Sequence, residues 1–154
     1  MRQSRGRGAG TTACARARLA AIAAIATTFA LAGCAPLSQT MTDAAAQGRS
    51  AVETASLALE LEQDGRSIFG LTATAFDDAQ RELGDAVATV DEADVSTEAD
   101  RALRTATADA LRDGIDAVNA ARESLEGVTD PDEVAEALDE ASAQLDALVT
   151  AGGG

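Results

Sequence analysis

Residues 130–149 read DPDEVAEALDEASAQLDALV, and this stretch carries the clearest structural signal in the chain. Its apolar residues are separated alternately by four and three positions, which places their side chains on one face of an α-helix. The opening Asp130-Pro131-Asp132-Glu133 combines an N-cap residue, a proline at the first helical position and a carboxylate that can reach back to the cap. The stretch therefore predicts an amphipathic helix, with inward positions at Val134, Leu138, Ala141, Leu145 and Leu148.

Three earlier segments show helical spacing as well. The first follows Met41, the second begins at Phe69 with apolar residues every seven positions, and the third surrounds Leu111. No segment alternates apolar and polar residues with a period of two, so strands are not expected. The sequence predicts an all-α fold, an antiparallel up-and-down bundle of four helices over residues 42–150, with a flexible glycine tail at 151–154. The predicted inward positions are Ala45, Gly48, Val52, Ala55 and Leu59; Phe69, Phe76, Leu83 and Val90; and Leu103, Leu111, Ile115, Val118 and Leu125.

Turn-forming residues separate these segments. Asp64-Gly65 is expected to end the first helix, although the break could lie as late as Gly70, with Thr72 as the next N-cap. Asp94-Val95-Ser96 separates the second and third helices, where Ser96 or Thr97 is placed to cap the third. The short links predict that successive helices lie side by side and antiparallel.

The N-terminal segment has the layout of an export signal. Five arginines precede an uncharged, largely apolar run at 19–32, and no acidic residue occurs before Asp43. A transmembrane anchor is the alternative, but this run has 14 residues, whereas a membrane-spanning helix needs about 20. The arginines are Arg2, Arg5, Arg7, Arg16 and Arg18.

The apolar run ends in Leu31-Ala32-Gly33-Cys34, which resembles the lipobox of bacterial lipoprotein signal peptides. The resemblance covers only the first 34 residues and implies that Cys34 receives a diacylglycerol, with cleavage between Gly33 and Cys34. It implies a signal peptide at 1–33, then a lipidated cysteine and short tether at 34–41. The lysine-free composition resembles that of small actinobacterial lipoproteins. A signal peptide cut elsewhere, for instance after Ala32, is the alternative.

The composition argues against most catalytic chemistry. The chain contains no His, Lys, Trp or Tyr, and loss of residues 1–33 would leave seven arginines against 26 acidic residues, a net charge of −19 instead of −14. Serine and threonine nucleophiles then lack a credible base, and zinc or di-iron sites lack their usual ligands. An enzyme and a cofactor are therefore not expected. So acidic a chain also has the wrong charge for binding nucleic acid.

Carboxylates alone could still bind a hard cation. Asp91, Glu92 and Asp94 cluster near the second link, but they follow neither the spacing of an EF-hand loop nor its central glycine. The favoured interpretation is that these acids solvate the link and help to cap helices. A calcium-type cation-binding module is the alternative function.

The leading functional hypothesis is a non-catalytic interaction or scaffold module, anchored through Cys34 to the extracytoplasmic face of the cell membrane. A tether of about eight residues reaches at most ~25 Å, which would hold the bundle beside the membrane. Because acidic surfaces are repelled by anionic headgroups, another envelope protein is the expected partner. Leu, Ile, Val and Phe make up 24 of the 121 residues from 34 onward, so a chain that folds fully only with a partner is a further alternative.

Overall fold

A computed structural model describes residues 36–152 of the chain. Within that range it contains four α-helices and no strand. The four helices and the all-α class are confirmed. The helices are α1 (Leu37–Gln63), α2 (Phe69–Glu92), α3 (Glu98–Leu125) and α4 (Pro131–Gly152).

Both ends of the bundle differ from the predicted boundaries. Residues 37–41, expected as part of the tether, form the first turn of α1, and α4 continues to Gly152 instead of ending at 150. Pro36 precedes the first helical residue with φ −58° and ψ 146°, and its carbonyl accepts the amide hydrogen bonds of that first turn. The fixed φ of proline suits a helix start, so the segment read as tether is helical.

Two glycines end α1 and α3. Gly65 has φ 65° and Gly127 has φ 74°, the left-handed conformation that glycine adopts without steric cost. In both turns the residue after the glycine donates its amide to the carbonyl five positions earlier: Arg66 to Leu61, and Val128 to Glu123. The predicted break at Asp64-Gly65 is confirmed, and the later alternative at Gly70 is wrong.

The start of α4 is only partly as predicted. The Asp132 amide donates to the Asp130 carboxylate over 2.9 Å, so Asp130 caps the helix. The second predicted interaction, donation of the Asp130 amide to the Glu133 carboxylate, is not among the hydrogen bonds of the described residues, and Glu133 is exposed. The capping interaction is therefore made by Asp130 alone.

α1 and α3 form the centre of the bundle. Each contacts the three other helices, whereas α2 and α4 do not contact each other in the described part of the chain. Each link has five residues, at 64–68, 93–97 and 126–130, so consecutive helices are antiparallel and α1 lies alongside α3 in the same direction. Links 64–68 and 126–130 lie at the end of the bundle opposite Leu37, which we call the remote end.

Ion pairs on the surface agree with this arrangement. Arg49 of α1 pairs with Asp146 of α4, and Arg122 of α3 pairs with Asp77 of α2. All four side chains are at least 36% exposed, and exposed pairs of this kind contribute little to stability. The bundle must therefore be held together by its apolar contacts.

α3 packs closely against α1 at Gly48. A Cβ atom built on Gly48 would overlap Cδ2 of Leu111, and would lie 3.4 Å from Leu83 of α2 and 3.5 Å from Leu145 of α4. All three leucines are fully buried. Side chains from the three other helices thus converge on the space that the missing side chain of Gly48 leaves open.

Gly114 of α3 completes the contact from the other side. A Cβ atom there would lie 3.1 Å from Cγ2 of Val52 and 3.2 Å from Cδ2 of Leu83. Such separations are shorter than ordinary carbon contacts of about 3.5–4.0 Å. The two glycines therefore let α1 and α3 approach across the bundle.

Alanine makes up much of the core around these contacts. Phe76 is fully buried, as expected for a core position, while the side chain of Phe69 lies outside the described part of the structure. Leu103, Ile115, Leu125 and Leu148 are partly buried against the core. The predicted inward positions that are buried are Ala45, Gly48, Val52, Ala55, Leu59, Phe76, Leu83, Val90, Leu111, Val118, Val134, Leu138, Ala141 and Leu145.

Replacement of Gly48 by alanine is expected to destabilise the bundle. The added methyl group overlaps Leu111, and overpacking outweighs the gain in helix propensity, so the free energy of unfolding should fall by about 1–2 kcal/mol in urea denaturation. Gly84→Ala is the matched control, because Gly84 is exposed and nothing lies within 4 Å of its Cβ position. That variant should be more stable than the wild type by about 0.5–1 kcal/mol. A Gly48→Ala midpoint at or above the wild-type value would contradict the packing described.

Candidate functional site

The predicted lipidation site lies outside the described residues. Cys34 and Gly33, like the whole predicted signal peptide, precede Pro36, where the described chain begins. The assignment of Cys34 therefore stands on the sequence. The candidate sites within residues 36–152 are the acidic second link, a groove between α3 and α4, and an apolar surface at the remote end.

The acidic residues near the second link, at the end of α2 and in the link itself, do not converge on a common point. Asp91 lies 3.6 Å from the guanidinium of Arg112, and Arg112 also contacts Asp109 at 3.2 Å. Asp91, Glu92 and Asp94 are all exposed. No group of three His, Cys, Asp or Glu residues within 36–152 is placed to hold a metal ion. These acids therefore fit a solvated link, with an ion pair between Asp91 at the end of α2 and Arg112 of α3, better than a cation site.

The same link contains a capping box that starts α3. The Thr97 hydroxyl accepts the Asp100 amide over 3.1 Å, while the Asp100 carboxylate accepts the amides of Thr97 and Ser96 over 3.0 and 3.3 Å. Of the two predicted caps, Thr97 is the one used. Hydrogen bonding with the Thr97 side chain holds the pKa of Asp100 below its usual value of 3.8, and the two amides lower this pKa further. Asp100 therefore stabilises the N-terminus of α3 as part of its capping box.

An open groove of about 370 Å³ runs between α3 and α4. Small side chains form its floor and acidic residues its edges. It contains neither a histidine nor a cysteine, so its carboxylates lack the partners that nucleophilic catalysis or zinc binding requires. The lining residues are Asp113, Asp116, Ala117, Ala120, Ala137, Glu140, Ala141 and Gln144.

The remote end carries a concentration of exposed apolar side chains. Leu57 is 56% exposed, Ile68 76% and Leu71 69%. Leu57 and Leu61 from the end of α1, and Leu71 from the start of α2, line an open depression of about 180 Å³. We call Leu57, Leu61, Ile68 and Leu71 the apolar patch. Other lining residues are Thr54, Ala58, Ser67, Thr72 and Ala75.

A hydrogen-bonded turn supports the apolar patch. Thr72, which is only 1% exposed, donates its hydroxyl to the Glu62 carboxylate over 2.8 Å and shares a 2.7 Å hydrogen bond with the Ser67 hydroxyl. These contacts join α1, the link and α2. The alternative break at Gly70 would have made Thr72 an N-cap. Thr72 is instead a buried residue within α2 whose hydrogen bonds fix the first turns of α2 against α1.

Reasoning from the sequence missed the apolar patch. The inward positions Ala55 and Leu59 drew attention to one face of α1, whereas Leu57 and Leu61 lie on another. The available signal was a second pair of leucines four residues apart, close to a link and followed by Leu71. Such pairs are neighbours on a helix surface and indicate a second apolar face.

Comparison with known proteins adds no family to this description. No protein-family model, curated protein or solved structure matches the chain. None of the helices within residues 36–152 has the length and hydropathy needed to cross a bilayer. Residues 36–152 therefore form a small helical bundle with many exposed acidic residues and an exposed apolar patch at the remote end.

Substitution of Asp100 by alanine is expected to destabilise the protein in a pH-dependent way. Since the pKa of Asp100 is lowered in the folded state, its stabilising contribution is complete above its unfolded value near 3.8 and is lost as the pH falls through the folded value. Urea midpoints of the wild type and Asp100→Ala should differ at about pH 7 and pH 5, and the difference should close towards about pH 2.

The control for this prediction is the same substitution in a Thr97→Ala background. Removal of the Thr97 hydroxyl takes away the main cause of the pKa shift, so the effect of Asp100→Ala on the urea midpoint should change less with pH in that background. A difference between wild type and Asp100→Ala that widens below about pH 4 would contradict the capping role.

Proposed function

We propose that the protein is a lipid-anchored, non-catalytic interaction or scaffold module on the extracytoplasmic face of the cell membrane. The observation that carries the proposal is the lipobox-like Leu31-Ala32-Gly33-Cys34, which lies directly before the first helix of the bundle. The five arginines and the short apolar run upstream support export. Cys34 would carry the diacylglycerol and a fatty acyl chain such as palmitate.

The short connection between Cys34 and the bundle supports a position close to the membrane. α1 begins at Leu37, so the intervening chain reaches at most ~10 Å, less than the ~25 Å expected for a tether of residues 34–41. α1 has 27 residues, and a helix of that length is about 40 Å long. An upright bundle would therefore direct its remote end, with the apolar patch, away from the membrane.

The surface chemistry supports protein interaction as the role of the module. The exported part would have a charge of −19, with arginine as its only cationic side chain. Such a surface is repelled by anionic headgroups, which keeps the bundle from lying flat on the bilayer. The exposed apolar patch offers a surface to another envelope protein.

Replacement of Cys34 by alanine is expected to abolish the anchor. Cells that express the Cys34→Ala variant and are labelled with a fatty acid should yield unlabelled protein, and the protein should leave the membrane fraction because its only acylated residue is gone. Cys14→Ala is the matched control, since Cys14 lies within the predicted signal peptide. That variant should retain both the label and the membrane association of the wild type.

Two results would contradict the proposed anchor. One is a Cys34→Ala variant that keeps the fatty-acid label. The other is a mature wild-type protein whose N-terminal residue, read by mass spectrometry, is not an acylated Cys34.

A further inference from the structure

The apolar patch has the shape of a helix-binding surface. Leu57 and Leu61 lie one turn apart on α1, while Leu71 and Ala75 lie one turn apart on α2, and the depression of about 180 Å³ lies between these two rows. Two apolar rows with a shallow channel between them fit the stripe that a helix presents at positions i, i+4 and i+7. Side chains as exposed as Leu71, at 69%, contribute little to the stability of the bundle.

Acidic residues border the patch on both helices. Glu53 and Glu60 lie four and three residues from Leu57, which places them beside it on the helix surface, and Asp78 lies one turn beyond the depression on α2. All three are exposed. Glu53 pairs with Arg49 and Asp78 pairs with Arg81, and residues 49–81, which include both arginines, keep a net charge of −3. A partner with Lys or Arg beside its apolar stripe would therefore be attracted here.

The other occupants fit the patch less well. A second copy would bring the same acidic border against itself, and like charges in an interface are costly. Anionic lipid is repelled by the same border.

We infer that the apolar patch is the docking surface for an amphipathic helix with basic flanks, supplied by another protein. The inference rests on the proposed function and deepens it, because it assigns the interaction to one surface and one class of partner. Leucine-type side chains of the partner helix enter the depression between α1 and α2. Its Lys and Arg residues face Glu53, Glu60 and Asp78.

A defined peptide tests this docking surface on the full-length protein. The probe is a fluorescein-labelled peptide of about 18 residues with leucines at i, i+4, i+7 and i+11, lysines beside them and alanines elsewhere. The comparison peptide has the same composition in an order that spreads the leucines around the helix. In fluorescence anisotropy at physiological salt, the striped peptide should bind at least about tenfold more tightly, because only it presents an apolar face.

Substitutions in the patch show whether that binding uses it. The double variant Leu57→Ser/Leu71→Ser should lower the affinity for the striped peptide at least about fivefold. Val128→Ser is the matched control, because Val128 is 72% exposed at the same end of the bundle but does not line the depression. It should leave the affinity unchanged. All substituted residues are exposed, and circular dichroism checks that the helix content is retained.

A second pair of variants separates the local border from the overall charge. Glu53→Gln/Glu60→Gln/Asp78→Asn removes three negative charges beside the patch, whereas Asp113→Asn/Asp116→Asn/Asp139→Asn removes three from positions on α3 and α4 away from the patch. The first set should weaken peptide binding several-fold more than the second. Equal effects of the two sets, or wild-type affinity in Leu57→Ser/Leu71→Ser, would overturn the inference.

Two further results would assign the patch to another occupant and so overturn the inference. One is self-association in sedimentation that disappears in Leu57→Ser/Leu71→Ser, which identifies a second copy. The other is binding to vesicles of phosphatidylglycerol and phosphatidylcholine that disappears in the same variant, which identifies lipid.

Photo-crosslinking in cells distinguishes failure of the inference from failure of the proposed function. A photoreactive residue is placed at position 57 or, as the comparison, at position 139 of α4. Crosslinks to a protein from position 139 but not from position 57 would overturn the docking surface and leave an interaction module. A Cys34→Ala variant that keeps the fatty-acid label would overturn the proposed anchor without changing the peptide result.

Discussion

The contact between α1 and α3 at Gly48 and Gly114 is the constraint on which the rest of the bundle depends. The core is rich in alanine, which buries little surface per residue, so four helices of this composition need close approach to exclude water. With glycine at both crossing points, Leu83, Leu111 and Leu145 fill the space around Gly48. The same diagonal contact leaves α2 and α4 apart in the described part of the chain, so α1 and α3 each contact all three other helices.

Helical periodicity was sufficient to predict the number of helices and most of the core, because each inward stripe is local in sequence. Positions such as Leu138 and Leu145 repeat with the helix and are buried as predicted. Gly48 was recognised as an inward position, but its role depends on Leu111, 63 residues away, and spacing within one helix cannot reveal a partner in another. The helical start at Leu37 was missed because the apolar periodicity was recognised only from Met41 onward.

The candidate site was harder to predict for the same reason. The acids of the second link were visible in the sequence, but only the fold shows that Asp91 faces Arg112 and that Asp100 bonds Thr97. The apolar patch forms where the end of α1 meets the start of α2, and neither segment alone indicates a surface. Under the proposed function, the anchor at Cys34 and this patch lie at opposite ends of α1, which would separate attachment from recognition.

The most direct test of the diagonal contact is a set of nuclear Overhauser effects in the assigned protein. Close approach of α1 and α3 predicts cross-peaks from the Hα protons of Gly48 to the methyl groups of Leu111, and from those of Gly114 to the methyl groups of Val52. If these Hα protons instead show cross-peaks only within their own helices, α1 and α3 are not in contact, and the bundle must be held together in another way.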